Sequence, residues 1–209
     1  MGSRGTRRII LGAGVLALGL AAPAFGGGNT DIAVTDNQFA PADVQDLSFT
    51  WGWDPAGDGQ TNNKHNVRQD DRFFDSGAPI KGGDDFQTVI QGAGKYHYYC
   101  EVHGSKSGGM DGVVRKYIFP GPSTPMESQI VNWSGGTNQR YDVQYRVDDR
   151  RWKNWKRHTG SLNDSFGAGD DPVNLQADRE YQVRARTLKR NDFSKRSGWS
   201  RPYTVDVFP

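Results

Sequence analysis

Apolar and polar positions alternate in short runs along most of this chain, with a period of two rather than 3.6. The runs over 31–36, 86–90, 95–100, 112–117, 141–147 and 181–186 each place every second residue on one face, which predicts half-buried β-strands. Between Val44 and Trp53 the residues Leu47, Phe49, Trp51 and Trp53 share a face, so this stretch reads as one strand region. Shorter strands are predicted at His65–Val67, at 130–133, at 151–155 and over 199–207. No run carries a convincing helical period. Short strands divided by Gly, Pro and Asp turns predict an all-β fold of sandwich or barrel type.

The breakers divide the chain further. Asn37-Gln38-Phe39-Ala40-Pro41 interrupts the first strand, and 54–59 is a turn-rich loop. Phe119-Pro120-Gly121-Pro122-Ser123-Thr124-Pro125 reads as a linker or domain junction. Charge changes sign across it. Residues 26–119 hold 8 Lys and Arg against 13 Asp and Glu, a net −5; residues 120–209 hold 15 against 11, a net +4. The expected organisation is therefore a segment 1–25, a domain 26–119 and a domain 120–209.

Segment 1–25 reads as an export signal. Arg4, Arg7 and Arg8 precede an apolar region from Ile9 to Leu20, and Ala22-Pro23-Ala24 offers a small-residue cleavage site. Thr6-Arg7-Arg8-Ile9-Ile10-Leu11 also resembles a twin-arginine signal, which carries folded proteins across a membrane. The expected location is periplasmic or extracellular. No later apolar run reaches 18 residues, so no transmembrane helix is expected after signal removal.

Export changes the meaning of the single cysteine, Cys100. It cannot form an internal disulfide, and outside the cell an unpaired thiol is open to oxidation. Intermolecular pairing, a reactive thiol, a metal ligand and a buried inert residue are the alternatives. Its neighbours are informative. Tyr96-His97-Tyr98-Tyr99-Cys100-Glu101-Val102-His103 is followed by a Gly/Ser/Lys loop and then Met110. Thiolate, imidazole and thioether donors favour copper over hard cations, and two His, one Cys and a distant Met form an electron-transfer copper set. Such a set needs one more histidine.

The run from Gly94 to Cys100, then Glu101-Val102-His103 and Gly109-Met110-Asp111-Gly112-Val113, resembles the copper loop of plastocyanin-like cupredoxins. The resemblance covers about residues 30–117 and implies a Greek-key β-sandwich holding one type 1 copper. It implies His65, Cys100, His103 and Met110 as ligands, with His65-Asn66 as the upstream His-Asn pair. Asn66 would tie the His65 loop to the Cys100 loop, and the edge of His103 would be the electron port. Strand parity separates His97 from Cys100, so His97 is expected at the surface, off the metal. The loop from His103 to Met110 is longer than in plant plastocyanins.

Residues 121–209 resemble a fibronectin type III module. Trp133, the 141–147 strand, Leu175 six residues before Tyr181, the 181–186 strand and Ser197-Gly198-Trp199-Ser200 occur in the right order. Tyr181 is expected as a corner tyrosine, and Trp199 is expected to stack between Arg184 and Arg186. Arg150-Arg151-Trp152-Lys153-Asn154-Trp155-Lys156-Arg157 mixes bases with aromatics. Its plain reading is a solvated sandwich face with the tryptophans packed under long Arg and Lys stems; the alternative, in an exported protein, is a site for an acidic partner or cell-surface polymer, and nucleic acid is not expected. The expected function is an exported single-electron carrier with a docking module and an unidentified redox protein as partner. Copper delivery, or adhesion without redox chemistry, is the alternative. No nucleophile motif is present, and one closed mononuclear site implies no enzyme activity.

Overall fold

The computed structural model describes residues 29–53, 63–124, 127–169 and 171–206. The export-signal segment lies outside the described residues. The described chain is all-β, built as two sandwiches. Among the described residues no helix is long and apolar enough to cross a membrane.

The first sandwich contains β1 (Asn29–Thr35), β2 (Gln38–Ala40), β3 (Asp43–Gln45), β4 (Ser48–Trp53), β5 (Arg68–Gln69), β6 (Phe86–Val89), β7 (Gly94–Ser105) and β8 (Gly108–Lys116). One sheet has the order β2-β1-β4-β6 and the other β3-β8-β7-β5. Both are mixed: β1 runs parallel to β4, and β3 runs parallel to β8. Alternation along β4 buries Phe49, Trp51 and Trp53. Trp51 is central, with ring centroids 5.3 Å from Phe74, 5.5 Å from Phe86 and 5.2 Å from Tyr98.

Two local expectations change here. The stretch Val44–Trp53 is two strands in different sheets. Asp46 accepts hydrogen bonds from the Leu47 amide (2.6 Å) and the Thr30 hydroxyl (2.9 Å), and this local bonding competes with a continuous ladder. The breaker at 37–41 is a tight reversal. Asn37 takes a positive φ, and Gln38–Ala40 returns along β1.

The second sandwich contains β9 (Phe119–Thr124), β10 (Ser128–Asn132), β11 (Gln139–Val147), β12 (Lys153–Thr159), β13 (Asn163–Phe166), β14 (Tyr181–Lys189), β15 (Asp192–Arg196) and β16 (Tyr203–Val205). The sheet β13-β10-β9 faces the sheet β12-β11-β14-β15, with β16 also paired to β14. The stretch read as a linker is thus largely strand β9. Its prolines are tolerated because β9 is an edge strand that pairs only with β10. Tyr181 is buried, and its hydroxyl accepts from the Gln176 amide at 2.8 Å, which is the corner arrangement expected. Trp199 stacks as expected, 4.6 Å from the Arg184 guanidinium carbon and 4.5 Å from that of Arg186.

The two cores meet along a tight seam. Ala93 and Ile118, both N-terminal to the expected junction, pack with the second core. Lys95 and Gly198 exchange backbone hydrogen bonds of 3.0 and 2.8 Å. The buried Tyr96 hydroxyl oxygen lies 2.6 Å from the Gly92 carbonyl and 2.8 Å from Thr187 Oγ1, which is 3.0 Å from the Ala93 carbonyl. Lys116 Nζ donates to the Ile90 and Gln91 carbonyls at 2.7 and 2.8 Å. Burial holds the Lys116 ammonium below its ordinary range, at about 8.

Candidate metal centre

A regular strand cannot bring Cys100 and His103 together, because an odd offset of three puts them on opposite faces. The ladder between β7 and β8 solves this with a bulge. Tyr99 pairs with Asp111 and Gly104 with Gly109, so five residue steps on β7 oppose two on β8. Residues 100–103, four against the single Met110, arch out of the ladder. Gly104 and Ser105 then pair with Gly109 and Gly108, and the supposed open loop is the tip of a hairpin. Gly108 and Gly109 both hold positive φ there, a conformation that glycine reaches without strain.

His65 arrives from outside the sheets. Its backbone exchanges two hydrogen bonds with Ile80, of 2.8 and 2.9 Å, and its ring is fully buried. His65 Nε2 lies 3.2 Å from Asp36 Oδ1. A carboxylate only accepts, so Nε2 carries the proton and Nδ1 presents its lone pair to the interior. Burial pushes the His65 pKa down; Asp36 opposes this and nearby His103 adds to it, with a net lowering. The neutral ring that a metal needs is therefore the favoured form.

Three donors converge. Cys100 Sγ is 3.8 Å from His65 Nδ1 and 3.7 Å from His103 Nδ1, and the two nitrogens are 3.1 Å apart. Among the described residues, His65, Cys100 and His103 form the one cluster of His, Cys and carboxylate donors with this proximity. Cys100 is fully buried, while His103 is half-buried. The circle through the three atoms has a radius of about 2.1 Å, the length of an ordinary bond from imidazole nitrogen to a first-row metal ion. The donor set therefore fits one ion.

Met110 lies on β8 opposite the bulge, between the residues that pair with Gly104 and Tyr99. It is buried in the same apolar cluster as Cys100. His97 is separate from the donors. It sits between two carboxylates, with Nδ1 2.8 Å from Asp70 and Nε2 2.9 Å from Asp111. Burial alone would lower its pKa, but the two carboxylates outweigh it and the net shift is upward.

Asn66 is buried beside His65 and bonds in three directions. Its side-chain oxygen accepts from the Glu101 amide (2.9 Å), and its amide group donates to the Gly77 carbonyl (2.9 Å) and Glu101 Oε2 (2.8 Å). It thereby joins the His65 segment to the residue that follows Cys100. Arg68 holds Glu101 from the other side. Sequence reasoning missed Asp36 and Glu101. Asp36 lies 29 residues before His65 and belongs to no motif, so only the fold brings it to the ring.

A scan against models of known families matches nothing. A comparison with curated proteins finds none similar in sequence. Among solved structures, this chain is similar to the chicken CNTN1 FN1-FN3 domains, at 8% identity and a TM-score of 0.32. That match covers 87% of this chain and 63% of the other. A likeness of this degree carries no argument about function.

Proposed function

We propose that this chain is an exported mononuclear type 1 copper protein that carries single electrons, with its second, fibronectin-type sandwich as a docking module. One observation carries the reading: a buried thiol and two imidazole nitrogens lie on a circle of metal-bond radius. His65, Cys100 and His103 would hold the ion, with Met110 as a weak fourth donor. Two histidines, one cysteine and a weak axial methionine select copper in electron-transfer sites. Bound copper supplies a one-electron couple.

The chain's own residues do the rest. Asp36 fixes the His65 tautomer and ring angle. Asn66 holds the two ligand-bearing segments in register, so the donors are positioned before any ion enters. Cys100 is fully buried in one apolar cluster with Tyr98, Trp51 and Phe39, which keeps water from the core side of the thiol. The half-exposed His103 ring is the point at which a redox protein partner would approach.

The test is spectroscopic. Wild-type protein with one equivalent of Cu(II) is expected to show an intense visible thiolate-to-copper band that bleaches on reduction. Cys100→Ser should abolish the band, and His97→Ala should keep it. A colourless wild type would sink the proposal. A coloured protein without a reversible one-electron wave would favour copper delivery instead.

A further inference from the structure

We propose that the second sandwich carries a binding pocket for a saccharide chain bearing carboxylate or sulfate groups. The proposal is independent of the metal. The pocket has a volume of about 300 Å³ and lies where β11 meets β12 and the segment leading to β14. Tyr145, Val147 and Val173 form an apolar floor, and Arg150, Arg151 and Lys153 stand at its rim. Its size is at the lower end for specific small-ligand pockets, enough for a short unit of a longer chain.

The rim is cationic, with Arg150 in the field of the Asp148 carboxylate. Arg150, Arg151 and Lys153 are exposed, and none of them forms an ion pair among the described residues. A fourth lining cation, Arg179, is paired with Asp148. The charge extends beyond the pocket. Arg146 and Arg184 stack on Trp152 at 4.9 and 4.2 Å, and Arg184 and Arg186 stack on Trp199. Arg146 and Arg186 meet carboxylates, whereas Arg184 donates to the Gln144 amide oxygen and forms no ion pair among the described residues. Burial first, and then the neighbouring Arg146 and Arg186, hold the Arg184 pKa below its ordinary range, so three guanidinium groups stand close together here. Such a field draws multivalent anions.

The aromatic residues decide between anions. A single-stranded nucleic acid needs ring faces on which bases can stack. Trp155 is packed in the core against Trp133 and Phe166, and Trp152 is covered by guanidinium groups. Tyr145 and Tyr181 pack on Phe166. The rings in this basic run are committed to the fold. What faces the ligand is cations, an apolar floor and the exposed amides of Asn174 and Gln176, a set suited to charged sugars with hydroxyl groups.

The experiment measures binding of the full chain, metal-free and copper-loaded, to a heparin-type sulfated oligosaccharide, an oligogalacturonate, an uncharged dextran and a single-stranded oligonucleotide. At least one acidic saccharide should bind in both metal states, more weakly as salt rises, and dextran should not. The exposed double variant Arg151→Glu/Lys153→Glu, checked for folding by circular dichroism, should weaken that binding about tenfold or more, a loss of about 1.4 kcal/mol or more. The control Lys81→Glu/Arg201→Glu makes the same charge change away from the pocket and should weaken it far less. Failure of both acidic saccharides to bind overturns the proposal. So does equal weakening by the two double variants, or oligonucleotide binding as tight as that of the saccharide. A protein that stays colourless with copper leaves this result untouched.

Discussion

The two ends of β7 do opposite things with the same strand. At the Gly94–Tyr96 end the ladder is regular, the Tyr96 hydroxyl is bonded inward, and the strand is locked against the second sandwich. At the Cys100–His103 end the ladder breaks, and the arched residues carry the donors. Regular pairing gives position but leaves no room for convergence, because alternate residues diverge. A bulge gives convergence but no rigidity of its own. The candidate site combines them: its donors sit on an irregular arch whose base is fixed by the seam and whose far side is fixed by Asn66.

The regular end carries the largest expected effect. A Cβ at Gly92 would overlap Thr187 Oγ1 and the Tyr141 ring. Gly92→Val should therefore cost about 3 kcal/mol. Thermal unfolding followed separately by first-sandwich and second-sandwich probes should show both transitions moving. If only one moves, the seam does not couple the sandwiches.

Next comes the arch. Asn66→Ala leaves the Glu101 amide and the Gly77 carbonyl without a buried partner and should cost about 2 kcal/mol. It should also weaken copper binding by about 10–100-fold, as loss of a group that orients ligands does. Competition titration against a chelator reads the affinity, and denaturant unfolding reads the stability. Tyr96→Phe removes one hydroxyl from the seam and should cost about 1 kcal/mol while leaving the copper band in place. A shifted band would mean that the seam reaches the site electronically.

The smallest effect is the pH dependence at His97. Its folded pKa is raised, so the charged ring stabilises the folded state below the unfolded value of about 6.5. That contribution is lost as pH rises from there through the folded pKa, because the folded state then binds more protons than the unfolded one. Unfolding free energy in metal-free protein should fall across this window, and His97→Gln should flatten the fall. The ring is partly exposed, so solvent screening keeps the effect modest.

Much of this was legible in the residues. The period of two predicted an all-β chain, and parity predicted that His97 and Cys100 face apart. The corner tyrosine and the Trp199 stacking followed from the resemblance to a fibronectin type III module, and the contacts of Tyr181 and Trp199 agree with it. The missed elements share a cause. Strands β13 and β15 lie at sheet edges and are short and mostly polar, and β15 is also largely exposed, so they carry no alternation to detect. Strand β9 was hidden by two prolines that an edge strand tolerates. The bulge was invisible because pairing register is a property of two strands together, and Asp36 reaches His65 only through tertiary structure.

The Lys95–Gly198 pair sets an order of events for a chain made from its N-terminus. The first sandwich can emerge whole, yet the backbone amide and carbonyl of Lys95 await Gly198. At about 5–20 residues per second that wait lasts about 5–20 s. For that interval the nascent chain offers a short open edge, to which a strand of another nascent chain could add. Maturation is complete only when the last part of the second sandwich closes the edge of the first.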